Sequence, residues 1–169
     1  TATSPHAATN PLGRLRREME ESYRASGIPT IILRAGDYID TESSGNWFDR
    51  IIAARVHKGR VTYPGNPDAP HAWAYLPDLA RAMVCLAERA DSLPAFADIP
   101  FPGYRLTGHE MTDHLARITG RKIRTRRFPW WALRLSEPVW PMAKHMREMR
   151  YLWSTPHWLD GRDLDDLCP

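Results

Sequence analysis

The chain has 169 residues, a hydrophobic fraction of 43% and a net charge of +3, values typical of a globular protein with one core, or with one domain and part of another. This composition excludes disordered and collagen-like chains, and no apolar run approaches the roughly 20 residues that span a bilayer. Because the first residues also lack the charged and apolar regions of a signal peptide, we expect a cytoplasmic protein without membrane contact.

The first third of the chain predicts a loop, a helix, a strand and a second helix. Residues up to Asn10 are small, polar and proline-containing, which predicts the loop. A helix is predicted over Pro11–Ser26, ended by Gly27, because apolar residues recur at three- and four-residue steps: Leu12, Leu15, Met19 and Tyr23. Residues 30–33 are apolar and mostly β-branched, which predicts a strand buried on both faces in a parallel sheet. The second helix is predicted over residues 43–59, SSGNWFDRIIAARVHKG.

The middle of the chain predicts short strands followed by two helices. Residues 60–76, RVTYPGNPDAPHAWAYL, alternate β-like runs with the turn cluster PGNP. Asp78 predicts the N-cap of a helix reaching about Ala90, and PAFADIPF predicts another strand. Thr107 and Glu110 have the spacing of a capping box, which starts a helix that Gly120 ends. Its apolar face is predicted to consist of Met111, Leu115 and Ile118.

The last third combines a basic strand, KIRTRRF, with an aromatic helical region broken by Pro138 and Pro141. A basic stretch beside tryptophans can bind RNA or phosphate groups, whereas an edge strand with outward positive side chains explains the same pattern. No recognised nucleic-acid module accompanies it, so we expect no nucleic-acid partner. The Trp-rich region that follows has the composition of a core, a substrate lid, a membrane-surface element or a dimer contact.

The cysteines and histidines predict neither a disulfide framework nor a metal site. Cys85 and Cys168 stand alone, without a CxxC spacing, and are predicted to be ordinary thiols. The histidines of the second half show no spacing with a third ligand that would build a zinc site: His109, His114, His145 and His157.

Four stretches taken in order carry a family resemblance: EESYRASGIPTIILRAGDYID, GNPDAPHAWAYLPDLARAMVCLAE, RLTGHEMTDHLARITGRKIR and MREMRYLWSTPHWLDGRDLDDLCP. Together they resemble the C-terminal half of the extended or atypical NAD(P)-binding short-chain dehydrogenases, the nucleotide-sugar epimerase and dehydratase superfamily. The resemblance implies an α/β fold with two parts. Residues 1–60 and 71–90 would supply the last elements of a doubly wound, Rossmann-like sheet, and the remainder a smaller substrate-side α/β subdomain.

Two features of that family are missing from the sequence. No GxGxxG or GxxGxxG turn is present to receive a pyrophosphate at a helix N-terminus. When Glu20 is aligned with the family's Glu after the catalytic Lys, Arg16 stands in place of that Lys and Leu12 in place of the catalytic Tyr. We therefore expect either a fragment without its N-terminal Gly-rich half, or a short protein that completes its sheet with another copy or a partner.

The resemblance implies nicotinamide and substrate contacts at the carboxyl end of the first strand. The candidate cofactor-binding residues there are Arg34, Ala35, Gly36 and Asp37. Tyr38 is a candidate catalytic residue because its phenol can replace the missing one, and Arg16 is a second because it can hold a ribose or phosphate. An ion pair between Arg34 and Asp37, with Tyr38 in packing, is the structural alternative.

Candidate substrate residues follow from the alternation in HAWAYL. It places His71, Trp73 and Tyr75 on one strand face, where they can stack on a sugar or another ring and hydrogen-bond to it. A half-buried strand face without a ligand explains the same alternation. Trp47 is a further candidate for substrate contact.

These observations predict the substrate-side half of an NAD(P)-dependent epimerase, dehydratase or reductase. Its substrate would be nucleotide-sugar-like or another small carbonyl or hydroxyl compound. Because the catalytic pair is missing, a non-catalytic NAD(P)-binding sensor or interaction protein is the alternative, and the chain alone is expected to be inactive. NAD or NADP is the expected cofactor, bound weakly or not at all by this chain alone.

Overall fold

The computed structural model describes residues 10–168, which contain six α-helices and seven strands. The helices are α1 (Pro11–Ser26), α2 (Leu76–Glu88), α3 (Gly108–Thr119), α4 (Trp130–Ser136), α5 (Met142–Glu148) and α6 (Arg162–Leu167). The strands are β1 (Thr30–Arg34), β2 (Asp37–Ile39), β3 (Arg60–Tyr63), β4 (His71–Tyr75), β5 (Phe96–Pro100), β6 (Tyr104–Leu106) and β7 (Arg124–Arg127). Apart from Asn10, the loop predicted at the start of the chain lies outside the described residues.

The described strands form three small sheets. β1 pairs with β5 in parallel, and β3 pairs with β7 in parallel. The third sheet has the order β2-β4-β6, in which β2 runs parallel and β6 antiparallel to the central β4. The fold is therefore of the mixed α/β class, and none of its helices in the described range is long and apolar enough to cross a bilayer.

Helix ends follow the capping signals of the sequence. At α1, the Asn10 side chain accepts a hydrogen bond from the Gly13 N–H at 2.7 Å, and Gly27 ends the helix at φ 70°. At α3, the predicted capping box is present, because the Thr107 hydroxyl accepts from the Glu110 N–H while the Glu110 carboxylate accepts from the Thr107 N–H. Both predicted helices are confirmed.

Two hydrophobic clusters lie on opposite faces of β4. Ala74 belongs to the first cluster, which packs residues of α2 and β5 together with Leu164 of α6. Trp73 belongs to the second, which joins β3 and α3 to Trp153. Because successive strand residues point to opposite faces, β4 is buried on both sides and holds the two clusters together.

The predicted second helix is wrong. Residues 43–59 contain only one π-helical turn, Phe48–Ile52, and one 3₁₀ turn, Val56–Lys58. The Asp49 carboxylate accepts from the Ser43 hydroxyl and the Gly45 N–H, both at 2.8 Å, and this side-chain bonding holds the start of the segment in a loop. The segment places Trp47, Phe48 and Ile52 against the second cluster without forming a regular helix.

Three smaller expectations are also corrected. Asp78 is not an N-cap, because α2 begins two residues earlier and places Asp78 in its first turn, paired with Arg81. β1 is half-buried rather than buried, since among the described strands it pairs only with β5. Ile118 of α3 is exposed, whereas Met111 of the same predicted face is buried.

Cys85 and Cys168 are joined by a disulfide, so the expectation of two ordinary thiols is wrong. The bond connects residues 83 positions apart, with the two Cα atoms separated by 6.2 Å. It ties the end of α6 to α2, beside the first hydrophobic cluster. No spacing rule could have revealed this pairing, because it depends on how the last helix packs.

Candidate functional site

A pocket of about 550 Å³ opens beside the carboxyl end of β1. It is lined by the start of α1, the turn between β1 and β2, and the segment that follows α5. Its lining residues are Asn10, Leu12, Gly13, Arg16, Ala35, Gly36, Asp37, Tyr38, Trp47, Ala72, Met149, Tyr151, Leu152, His157 and Leu159. This is the strand end at which open α/β folds place their ligands.

The pocket contains six of the ten predicted site residues. Arg16 lies on α1, residues 35–36 form the turn before β2, and Asp37 and Tyr38 are the first two residues of β2. Trp47 reaches the pocket from the irregular segment and also packs against Trp153, with 5.3 Å between ring centroids. The prediction that residues at the end of β1 face a common cavity therefore agrees with this geometry, while their roles stay predictions.

Asp37 is anchored by a buried histidine. His71 is 2% exposed, and its Nε2 lies 2.6 Å from Asp37 Oδ2. The imidazole stacks on Trp153, with 4.3 Å between ring centroids and 6° between planes. This hydrogen bond holds the Asp37 carboxylate at the wall of the pocket, while His71 itself does not line the pocket.

The predicted substrate face of β4 is not available to a ligand. His71 and Trp73 are buried, and Trp73 belongs to the second hydrophobic cluster. Tyr75 lies at the start of α2 and does not line the pocket. The expectation was wrong because β4 is a central strand covered on both faces. The alternative of a half-buried face is also wrong for His71 and Trp73, because both side chains are fully buried.

Arg34, a predicted cofactor contact, does not line the pocket. Its guanidinium donates to both oxygens of Glu20, at 3.0 and 2.7 Å, and to both oxygens of Asp98, at 2.7 Å each. These hydrogen bonds, with Glu20 first and Asp98 second, hold the Arg34 pKa further above its ordinary value. The arginine therefore joins α1, β1 and β5, and the alternative pairing of Arg34 with Asp37 is wrong as well.

Gly36 allows a close approach, but to the protein itself. A Cβ built at Gly36 would lie 2.2 Å from the carbonyl oxygen of Ala72 on β4. The absence of a side chain thus lets the turn after β1 pack on β4 and directs Asp37 towards His71. The same turn also lines the pocket.

His157 is a pocket residue that the sequence analysis missed as a site candidate. Its Nδ1 lies 2.9 Å from the Thr155 carbonyl, so Nδ1 carries the proton and donates it there. Burial lowers the pKa of His157 from its ordinary value near 6.5, and the neighbouring His71 acts in the same direction. A neutral imidazole with an unprotonated Nε2 is a proton acceptor at neutral pH. Its segment, STPHWLDG, carries no motif that could have marked it.

Two observations limit the kinds of reaction that side chains near the pocket can support. Burial, and secondarily the negative charge of Asp37, raise the pKa of Tyr63 to about 12, so this phenol stays protonated at neutral pH. The described residues bring together no group of three His, Cys, Asp or Glu side chains with the geometry of a metal site. The acid–base groups at the pocket are therefore Asp37, Tyr38, Tyr151 and His157.

No protein-family model matches the sequence, and no curated protein matches it at a significant level. A protein from Burkholderia cenocepacia J2315 assigned as an epimerase has a similar structure, with a TM-score of 0.62 and 22% identity over 75% of this chain and 42% of its own. DesIV from Streptomyces venezuelae, a dTDP-glucose 4,6-dehydratase solved with NAD and TYD bound, has a TM-score of 0.65 and 16% identity over 98% and 47%.

TunA, an NAD-dependent NDP-hexosamine 5,6-dehydratase of tunicamycin biosynthesis, has a TM-score of 0.57 and 16% identity over 75% of this chain and 44% of its own. The chain shares the fold of part of each of these three epimerase and dehydratase structures. The predicted resemblance to this superfamily is confirmed for the fold. The chain spans 42–47% of the length of these three epimerase and dehydratase structures.

The residues described do not fit a complete NAD(P) molecule. A dinucleotide needs backbone N–H groups at a Gly-rich turn and helix N-terminus for its pyrophosphate, and the sequence contains no such turn. The cation predicted to assist, Arg34, is bound by Glu20 and Asp98. What remains at the end of β1 is a pocket with the size of a small-molecule site and several proton-transfer groups.

Proposed function

We propose that this pocket binds the substrate of an epimerase, dehydratase or reductase that depends on NAD or NADP, and that the chain is the substrate side of such a protein. One observation carries the proposal. Leu12 and Arg16, which the family resemblance aligns with the catalytic Tyr and Lys, line the same pocket as the turn after β1. The substrate would be a nucleotide-sugar-like or other small carbonyl or hydroxyl compound. DesIV and TunA, which share the fold, act on such nucleotide sugars according to their descriptions.

In this proposal, β1, β2, β4 and α2 are among the last elements of a doubly wound sheet, and α3 belongs to the substrate-side subdomain. The residues 1–60 and 71–90 would then form the first part and the remainder the second. Each hydrophobic cluster contains residues of both parts, since the first includes Ala97 and Leu164 and the second includes Ile52 and Trp73, so the division stays a prediction.

Proton transfer would use groups other than the family's usual pair. Leu12 offers no phenol, whereas Tyr38 and His157 both line the pocket and can donate or accept a proton. Arg16 carries a permanent positive charge at the pocket wall and would stabilise an oxyanion or hold a phosphate. Asp37, fixed by His71, would orient a substrate hydroxyl.

The missing phenol also supports the alternative of a non-catalytic sensor or interaction protein of the same fold. In that case the pocket binds its ligand without turnover. The two proposals differ in one measurable property, the consumption or formation of NAD(P)H in the presence of a bound sugar substrate.

The test is calorimetric binding of dTDP-glucose and UDP-glucose, followed by an assay of NAD(P)H turnover with the same compounds. We expect Arg16→Gln and Tyr38→Phe to weaken binding at least fivefold, whereas Arg14→Gln should leave it unchanged because Arg14 is exposed on α1 outside the pocket. Turnover supports the enzyme. Because this chain alone is expected to be inactive, the sensor is supported only if a protein that also carries the Gly-rich half binds the sugar without turnover. Equal effects of Arg16→Gln and Arg14→Gln would contradict both.

Cofactor affinity at the pocket beside β1 is expected to be low, since the residues that line it include no Gly-rich turn to receive a pyrophosphate. Titration with NADH and NADPH should give dissociation constants weaker than about 0.1 mM, in the range of a ligand held by few contacts. A dissociation constant in the low micromolar range would show that a phosphate site exists elsewhere in the chain.

A further inference from the structure

A second concave surface lies at the opposite end of the β3–β7 sheet from Tyr63. It is a groove of about 420 Å³, lined by Lys58, Gly59, Arg60, Lys122, Arg124 and Arg126. We call it the cationic groove. Every side chain in its wall is positively charged, and it shares no lining residue with the pocket at β1. The proposed function makes no use of it.

The strand register concentrates the arginines on one face. β3 and β7 are parallel, with Arg60 opposite Arg124 and Thr62 opposite Arg126. Val61 is fully buried, and the Thr125 hydroxyl lies 3.1 Å from that of Thr112 on α3, so these two residues mark the inner face. Side chains alternate between the two faces of a strand. Arg60, Arg124 and Arg126 are each one residue away from Val61 or Thr125, so they point to the outer face.

The backbone around Gly59 brings Lys58 and Lys122 close together. Gly59 ends the 3₁₀ turn Val56–Lys58 at φ 65°, and its carbonyl accepts from the Arg124 N–H at 3.0 Å. A Cβ at Gly59 would lie 3.0 Å from the carbonyl oxygen of Lys122. This close backbone contact places Lys58 and Lys122 beside the first residues of the two strands.

Within residues 10–168, none of these five cations has a carboxylate partner within ion-pair distance. Like charges directly opposite each other on neighbouring strands destabilise a sheet, and the Arg60–Arg124 pair is such a case. Protection of an edge strand explains the positive charge on β7 and on Arg60 of β3, because both strands are edges of this two-stranded sheet, but it does not explain Lys58 and Lys122, which lie outside the strands. A bound anion would explain all five.

We propose that the cationic groove binds a ligand through two or three adjacent phosphate groups, such as a polyphosphate or the phosphates of a nucleoside triphosphate. Guanidinium groups bind phosphate oxygens in bidentate fashion, and three arginines with two lysines match the charge of such a chain. Binding would remove the repulsion between Arg60 and Arg124 and therefore stabilise the β3–β7 sheet.

The experiment is calorimetric titration of the full chain with tripolyphosphate, pyrophosphate, orthophosphate and ATP at low ionic strength. Tripolyphosphate should bind at least tenfold more tightly than orthophosphate, and ATP should match tripolyphosphate, because only the phosphates are recognised. Arg124→Gln and Arg60→Gln should each weaken tripolyphosphate binding at least tenfold. Both residues are exposed on the outer face, so circular dichroism should show that the variants remain folded.

Arg121→Gln is the matched control, because Arg121 belongs to the same basic run but does not line the groove. It should weaken tripolyphosphate binding less than twofold. Three results would overturn the proposal: no saturable binding of tripolyphosphate, equal losses in the Arg121 and Arg124 variants, or a single-stranded oligonucleotide that binds more than tenfold tighter than tripolyphosphate. The last result would assign the groove to nucleic acid instead.

Discussion

Arg34 connects three elements through one side chain. It lies at the end of β1 and binds Glu20 of α1 and Asp98 of β5, with two hydrogen bonds to each carboxylate. α1 also contacts the sheet through Arg24, whose guanidinium lies 3.8 Å from the centre of the Phe96 ring. Charged side chains therefore attach α1 to the β1–β5 sheet, a function that a cofactor-binding arginine could not perform at the same time.

Replacing Arg34 should destabilise the protein without affecting the pocket. We expect Arg34→Gln to lower the free energy of unfolding by about 2 kcal/mol, because two partly buried carboxylates lose their charged hydrogen-bond donor. Urea denaturation measures this change. Arg14→Gln, at an exposed position of the same helix, should change it by less than about 0.5 kcal/mol. Equal stabilities of the two variants would contradict the assignment.

His157 predicts a specific dependence of stability on pH. Its pKa is lower in the folded chain than its ordinary value near 6.5, because burial disfavours the charged ring. The unfolded chain therefore binds more protons in this range, so the contribution of the neutral His157 is present above about 6.5 and is lost as pH falls through the folded pKa. His157→Gln should remove this part of the acid sensitivity.

The measurement is the free energy of unfolding of wild type and His157→Gln at several pH values. The difference between the two is needed because carboxylates with lowered pKa values, such as Glu110, also lose stabilising interactions in acid. Titration of the His157 ring protons by NMR should give a midpoint below 6.5. A midpoint above that value would show that the ring is solvated or paired with Asp37 in its charged form.

At the level of elements, α6 is held by packing and by a covalent bond. Leu164 is buried in the first hydrophobic cluster, and Leu167 and Cys168 pack against that cluster. A helix of six residues is too short to be stable alone. The disulfide from Cys168 to Cys85 on α2 thus stabilises a helix that would not be stable by itself. The sequence analysis predicted two free thiols at these positions, whereas the fold joins them.

Removing the disulfide should release α6. Cys168→Ser is expected to lower the free energy of unfolding by roughly 2–4 kcal/mol, the typical range for a long closed loop. Hydrogen exchange should increase over Arg162–Leu167, and a reducing agent should reproduce both effects in wild type but change nothing in the variant. Two reactive thiols in the native, unreduced protein would contradict the bond. That result would also favour the predicted cytoplasmic location, where disulfides are rare.

For the whole molecule, one exposed apolar surface without a partner among the described residues is the apolar face of α1. Leu15 is 63% exposed, and the other members of the predicted apolar stripe are about half exposed: Leu12, Met19 and Tyr23. α1 contacts the β1–β5 sheet with Glu20 and Arg24 instead, on another side of the helix. A row of exposed apolar side chains on one helix is typical of an interface.

We therefore expect the chain to self-associate through α1. Leu15→Glu should shift it towards the monomer, because a charge in the interface would lose its water. Ala25→Glu introduces the same charge at an exposed position of α1 outside the stripe and should leave the assembly intact. Light scattering over a wide concentration range measures the mass. A wild-type monomer at all concentrations would mean that the stripe has another role.

The sequence by itself determined the helices whose ends carry their own signals, several strands and the mixed α/β class of the fold. Asn10, Gly27, Thr107 and Gly120 act within four residues of a helix end, so α1 and α3 could be predicted to the residue or nearly so. The helix predicted over residues 43–59 was wrong because its composition favours a helix, whereas the hydrogen bonds of Ser43 and Gly45 to Asp49 hold the start of the segment in a loop. Composition alone does not reveal those hydrogen bonds.

The tertiary structure alone decided which polar groups meet. Arg34 and Asp98 are 64 residues apart, Asp37 and His71 are 34 apart, and Cys85 and Cys168 are 83 apart. No periodicity links such pairs, because each depends on how strands are ordered and how helices pack on them. The end of β1 could therefore be predicted as a site, but the presence of His157 and the loss of Arg34, His71 and Trp73 from it follow only from the folded chain.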